Sequence, residues 1–311
     1  MSEALYDPGA RRDALAARLF EATLGAFDLL AIHLGLDLGL YRALERDGPA
    51  TASELAARAG VHSRYAREWL EHQAVTGILD ADASDDPLAR RYWLPGPHAE
   101  VLLDPDHLAT MAPMPMFVMA AARTWPALLE AYRTGGGVDW NDYPGLSEAQ
   151  ELANRPLFQQ LLADVWLPAI PDVHARLSAG GARVADVAAG AGWSSIAMAR
   201  GYPGITVDGL DLDALAIERA RENARAAGLA DRVRFHVVDA GDHSLDGQFD
   251  LVTIFEAVHD LARPVEVLRA VELAADRVTV ETTASSGDVV TAIGRATIVV
   301  VGPDHPAYGR W

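Results

Sequence analysis

Three aspartates and two glycines at fixed offsets are the residues of this chain best placed to do chemistry. The run Val-Ala-Asp-Val-Ala-Ala-Gly-Ala-Gly at 184–192 carries an apolar segment into small residues, with Asp186 just ahead of Gly190 and Gly192. This pattern reads as a buried strand ending in a turn where a ligand can approach the backbone. Twenty-one residues past Gly190, a second apolar run at 205–210 ends on Asp211, about the separation that sets a carboxylate against a ribose in a βαβ nucleotide fold. A third run, 233–238, ends on Asp239, and a fourth, 249–254, is followed by Phe-Glu-Ala-Val-His-Asp at 255–260. The turn and its carboxylates point to a nucleoside-bearing cofactor. On the loop after the fourth run, His259 and then Glu256 are the groups able to take up a proton beside it.

The elements that must position these groups follow from the same spacing. Four short apolar runs alternate with helix-like stretches such as 213–227, where Leu215, Ile217 and Ala220 recur at helical spacing with Arg and Glu between them. That alternation predicts an α/β fold, a Rossmann-like, doubly wound and mostly parallel sheet covered by helices on both faces. Ligands of such sheets bind outside the carboxyl ends of the strands, where the acids and His259 fall. A dinucleotide fits poorly, because the third small residue of that fingerprint would be Ser195.

The order acidic, x, small, x, Gly, x, Gly across 186–192 resembles instead the first motif of class I S-adenosylmethionine (SAM) methyltransferases. Ala188 stands where that family usually has glycine, and a methyl group is tolerable there only if φ is below zero. The resemblance implies that SAM is the cofactor, held by Asp186, Ala188, Gly190, Gly192, Asp211, Leu212, Asp239, Ala240 and Phe255. In it Asp211 meets the two ribose hydroxyls and Asp239 the adenine amino group. The His-Asp pair at 259–260 is similar to that of hydroxyl-directed O-methyltransferases with an N-terminal winged-helix dimerisation domain, which implies that His259 removes the acceptor proton, with Glu256 as second candidate for base or orienter. Transfer from a sulfonium depends mainly on alignment, and a histidine base adds about 10²–10⁴-fold. Oxygen, nitrogen or carbon as acceptor is not decided by these residues. A non-catalytic accessory or ligand-sensing protein on the same fold is the alternative, favoured by Ala188 and by a C-terminal end that is short for the full fold. Past the fifth strand expected at 278–282, the segment 296–301 supplies one further strand where the fold calls for two.

The N-terminal part reads as a winged helix and sets the predicted divisions at 1–105, 106–176 and 177–311. Thr51-Ala52-Ser53-Glu54 has the capping-box pattern, Gly60 makes a turn, His62 or Ser63 opens a second helix, and 91–94 reads as a wing strand. A winged helix raises the possibility of a DNA-binding regulator, but residues 1–100 hold ten Arg against sixteen Asp plus Glu, a balance of −6. Phosphate contacts need surplus cations, so a dimer contact and a pocket wall are favoured over nucleic acid. The apolar stretch 29–40 is expected to be a buried or dimer-facing helix, too short to span a membrane. Between 100 and 176, Met111, Met114, Met116, Phe117, Met119, Trp125, Tyr132, Trp140 and Tyr143 suggest either helical core or a pocket for a flat hydrophobic acceptor. Leu157, Leu161, Val165 and Leu167 predict an amphipathic helix ending near Pro168.

Composition narrows the chemistry. The 311 residues include no cysteine, and all 26 basic residues are arginine, so thiolate and lysine catalysis are excluded. The formal charge of −18 disfavours nucleic acid as main partner. No histidine spacing or carboxylate cluster suggests a metal. The first residues do not read as a secretory signal, so a cytoplasmic location and a small-molecule acceptor are expected.

Overall fold

A computed structural model describes residues 8–138, 143, 145–241, 249–274, 278–281, 293–294 and 298–299. They group into two compact units, Met1–Ala149 and Gln150–Trp311, with the divide inside one helix.

The first unit begins with α1 (Pro8–Asp37), followed by α2 (Leu40–Asp47), α3 (Ala52–Ala59) and α4 (Ser63–Val75). The capping box forms: Thr51 Oγ1 accepts from the Glu54 amide while Glu54 accepts from the Thr51 amide. Gly60, at φ 68°, closes α3, and His62 caps α4 by accepting from the Arg64 amide. Strand β1 (Asp80–Ala81) pairs antiparallel with β2 (Tyr92–Trp93) as the expected wing, and α5 (Gly96–Leu103), α6 (Met114–Arg123) and α7 (Trp125–Thr134) complete the unit. Leu40, Tyr41, Leu44, Leu55, Trp69, Leu70 and Tyr92 form its core.

α1 changes the reading of the apolar stretch. The helix reaches back to Pro8 and is 30 residues long, so by length and composition it could cross a bilayer, and shortness is not the argument against that. Its C-terminal third is docked instead: Trp69 Nε1 donates to the Ala31 carbonyl at 2.9 Å, Asp28 pairs with His72 at 3.2 Å, and a Cβ on Gly35 would come within 2.5 Å of Trp69. Leu19, Phe20, Leu24, Phe27, Leu30 and Leu34 of the same helix are exposed in the single chain.

α8 (Leu146–Leu157) runs across the divide and carries Pro156 near its end, where the missing N–H spoils an α-helical bond. The chain widens there into a π-helix, Phe158–Trp166, then a 3₁₀ turn, Leu167–Ala169. In the wider turn Phe158, Leu162 and Trp166 go fully inside beside the expected Leu167, Leu157 and Leu161 are partly buried against the same core, and Val165 is exposed. After α9 (Pro171–Ser178) comes the alternation the sequence predicts: β3 (Arg183–Val187), α10 (Trp193–Gly201), β4 (Thr206–Asp211), α11 (Ala214–Ala226), β5 (Val233–Val237), β6 (Leu251–Ile254) and α12 (Pro264–Ala274). The four strands pair in parallel in the order β5-β4-β3-β6. Ile196, Met198, Ile205, Ile217 and Phe235 belong to the core on one face, and Ala185, Val187, Leu210, Val252 and Val267 pack on the other. Further on, β7 (Val278–Glu281) pairs antiparallel with β8 (Ile293–Gly294) and parallel with β9 (Ile298–Val299), two short strands where one was expected past the fifth.

Candidate active site

Because β3 has β4 on one side and β6 on the other while the chain runs β3, β4, β5, β6, the strand order reverses at β3. A crevice opens at such a switch point at the carboxyl ends. The loops there are 188–192 after β3, 211–213 after β4, 238–241 after β5 and 255–260 after β6.

The backbone at this edge is strained where the strands stop. Among the described residues, Ala188 and Glu256 are the non-glycine positions with positive φ, 56° and 53°, one residue past β3 and two past β6. Ala188 therefore does not meet the condition of negative φ, and its methyl sits in a conformation that costs an L-residue about 1–2 kcal/mol. Strain of this kind persists only where neighbours over-determine the turn, and it concentrates at functional sites. Gly192 has two reasons to be glycine: its φ is 81° and a Cβ would come within 2.4 Å of Phe235. Gly190, at φ 52°, would project a Cβ into open space with nothing within 4 Å, which is the room a ligand needs to approach the backbone.

Asp211 joins two of the predicted motifs directly. Its Oδ2 accepts from the Gly190 amide at 2.8 Å and its Oδ1 from the Asp213 amide at 2.9 Å. Burial pushes its carboxyl above the usual range, an effect the Asp213, Gly190 and Leu212 amides oppose. A carboxylate has about four acceptor sites, so capacity remains for donors from a ligand. Leu212, beside it, is 65% exposed and offers an apolar surface. These features fit a nucleoside.

Asp186 has another role than facing a ligand. It is 1% exposed, with Oδ2 accepting from the Ser194 and Ser195 hydroxyls at 2.6 Å each and Oδ1 from Thr253 Oγ1 at 2.8 Å. Desolvation raises its pKa despite the three hydroxyls and with the Asp211 charge nearby. The carboxylate ties β3 to β6 and to the first turn of α10, so it shapes the glycine loop from beneath. Asp239 accepts from the Gly241 amide at 2.8 Å and pairs with Arg263. Ala240 and Phe255 are buried: Ala240 joins the cluster around Val267, and the Phe255 ring lies 5.5 Å from that of Phe158. Glu256 is half-buried. His259 belongs to a one-turn 3₁₀ helix, Val258–Asp260, and its imidazole lies outside the described residues.

Residues not foreseen from sequence complete the loop's surroundings. Ser194 and Thr253 hold Asp186, and Arg263 holds Asp239. Asn223 Nδ2 donates to the Ala191 carbonyl at 3.0 Å, and Trp193 Nε1 donates to Glu151 at 2.9 Å. The hydroxyl pair Ser194-Ser195, one residue beyond Gly192, was a readable signal. Glu151, 42 residues upstream of Trp193, had none in its spacing.

Comparison with known proteins agrees with this geometry. Residues 178–286 match a family described as methyltransferase domain, and residues 26–103 match one described as Rv2258c-like winged HTH domain. The chain is 30% identical over 262 residues to mitomycin biosynthesis 6-O-methyltransferase of Streptomyces lavendulae, a match covering 82% of this chain and 72% of that protein. Among solved structures, mitomycin 7-O-methyltransferase MmcR superposes with a TM-score of 0.58 at 24% identity, covering 94% of this chain and 90% of that one. Human N-acetylserotonin methyltransferase in complex with SAM gives 0.56 at 19% identity, over 83% and 76%. With the parallel sheet, the glycine loop and the winged helix in place, the chain belongs to the class I SAM-dependent O-methyltransferases that carry an N-terminal winged-helix domain.

Proposed function

We propose that the protein methylates a hydroxyl on a small hydrophobic or aromatic molecule of secondary metabolism, with His259 as the base. The observation that carries the site is the joining of Gly190 to Asp211 at the switch point, 2.8 Å apart, with strained Ala188 and Glu256 on either side of it. When bound, SAM supplies an electrophilic methyl on a sulfonium. Asp211 accepts from the ribose hydroxyls, Leu212 packs against the nucleoside, Gly190 and Gly192 allow close backbone approach, and Asp239 receives the adenine amino group. Asp186, Ala240 and Phe255 act from beneath through the loop and the core, and Ala188 sets the turn. His259, on the loop after β6, takes the acceptor's proton as the new bond forms, with Glu256 as second candidate. The acceptor chemistry is supported by the relative named for 6-O-methylation in mitomycin biosynthesis.

His259→Ala is the direct test. SAM affinity by calorimetry should stay within about twofold while turnover of a hydroxyl acceptor falls about 10²-fold or more. Equal turnover by the variant would return His259 to a structural role.

The wider reading is a cytoplasmic homodimer with neither nucleic acid nor membrane as partner, in which 1–105 dimerises, 106–176 serves the acceptor and 177–311 holds SAM. The exposed apolar face of α1 supports the dimer, since a patch of that kind is rarely left open on a soluble monomer. Docking of Asp28 and Ala31 onto α4 argues against a lipid-embedded helix. On α4, Arg67 lies beside Glu68 at 3.8 Å and Glu71 at 3.7 Å, which removes the surplus cation that DNA phosphates require.

A further inference from the structure

We infer that Glu151 is a positioning residue for the cofactor loop, acting through Trp193 and Asn223; the inference rests on reading 188–192 as the SAM loop. Held on its ribose side by Asp211, the loop needs a second attachment to fix the direction of its amides. The structure supplies one on the opposite side. Asn223 of α11 donates to the carbonyl of Ala191, the residue between the two glycines, at 3.0 Å. Glu151 of α8 accepts from the indole of Trp193, the first residue of α10, at 2.9 Å, and from Asn223 Nδ2 at 3.5 Å. Its other oxygen lies 3.7 Å from Arg219, and its side chain is 18% exposed. One turn along α8, the Arg155 guanidinium stacks over the Trp193 ring, 4.6 Å from its centroid.

Glu151 thus links α8, α10 and α11 at Trp193 and, through Asn223, at Ala191. A carboxylate at this point does two things an apolar residue could not. It orients the Asn223 amide so that its N–H meets the Ala191 carbonyl, and it anchors the ring that begins α10. The Gly190 amide stays turned toward Asp211 because its neighbour's carbonyl is fixed. Burial lends these hydrogen bonds weight, since the partners are largely shielded from water. A role confined to packing α8 against α10 and α11 would change stability and leave the loop's ligand affinity alone. A positioning role changes affinity.

Five proteins distinguish the two: wild type, Glu151→Ala, Glu151→Gln, Asn223→Ala and the double variant Glu151→Ala/Asn223→Ala. SAM affinity by calorimetry should fall about tenfold in each alanine variant, the value expected for losing a hydrogen bond to a charged group. The double variant should be no weaker than the weaker single one, because both act on one carbonyl. Glu151→Gln, which still accepts from the indole, should stay within about threefold. Hydrogen exchange of ligand-free protein should show faster exchange at 190–193 in Glu151→Ala, with the β3 and β4 amides unchanged. Affinity unchanged in Glu151→Ala, or exchange at 190–193 like wild type, would overturn the inference. If Glu151→Ala does not fold, Trp193→Phe removes the same donor while keeping a ring under Arg155, and its affinity decides in the same way. Failure of wild type to bind SAM would overturn the reading of the loop itself, whereas the exchange experiment reads the brace without ligand.

Discussion

Replacing Ala188 with glycine should stabilise this protein, and replacing it with valine should do the reverse. Ala188 has φ 56°, a conformation that costs an L-residue about 1–2 kcal/mol relative to the right-handed regions. Glycine removes that cost but gains freedom in the unfolded chain, worth about 0.4–1 kcal/mol against folding. It also loses a half-buried methyl, about 0.4 kcal/mol if half of a fully buried CH₂ is counted. The difference is a gain of about 0.5 kcal/mol, which for a unit of this size raises Tm by about 1–2 °C. Valine adds a β-branched side chain where positive φ is a true outlier, so it should lose more than glycine gains. Its turn has no freedom to relax, because the Ala189 amide is bonded to the Leu210 carbonyl at 3.1 Å and the Gly192 amide to the Ala189 carbonyl at 2.8 Å. Thermal unfolding followed by circular dichroism measures both variants. A glycine variant less stable than wild type, or a valine variant equally stable, would show that the strain assigned to this turn does not exist.

Asp211→Ala should weaken SAM binding at least about tenfold by calorimetry, since it removes a charged acceptor and also releases the Gly190 amide it holds. Burial raises the Asp211 pKa, while ribose donors favour its charged form. SAM binding should therefore release a proton between the ordinary carboxylate range and the raised value, and affinity should fall as pH drops through that window. Calorimetry in buffers of different ionisation heat would show the release in wild type and its absence in Asp211→Ala. Phe20→Glu with Phe27→Glu on the exposed face of α1 should convert a dimer to monomer in light scattering, and a monomeric wild type would refute the dimer.

What was legible in the sequence was what neighbouring residues decide. The turn after β3, the placement of Asp211 and the capping box of α3 each depend on spacings of a few residues or on one βα unit, and each formed where the pattern puts it. Asp186 shows where that ends. Its type and position match a cofactor motif, yet its environment is set by Thr253, 67 residues away, whose hydroxyl reaches it only because β6 pairs with β3. The same holds upstream of the sheet, where helical period alone chose Leu157, Leu161, Val165 and Leu167 as the apolar stripe. Pro156 breaks the regular bond pattern at that point, the helix widens, and Phe158, Leu162 and Trp166 go fully inside with Leu167, while Leu157 and Leu161 are only partly buried and Val165 is exposed. The widened turn then meets α10, the helix that begins at the glycine loop: a Cβ on Gly201 would come within 2.2 Å of the Ala163 Cβ. The approach is close enough that a larger residue at either position would push against the helix whose first turn holds Asp186. Packing set by a proline thirty residues upstream thus bears on the geometry of a carboxylate under the cofactor loop, through contacts that no local spacing encodes.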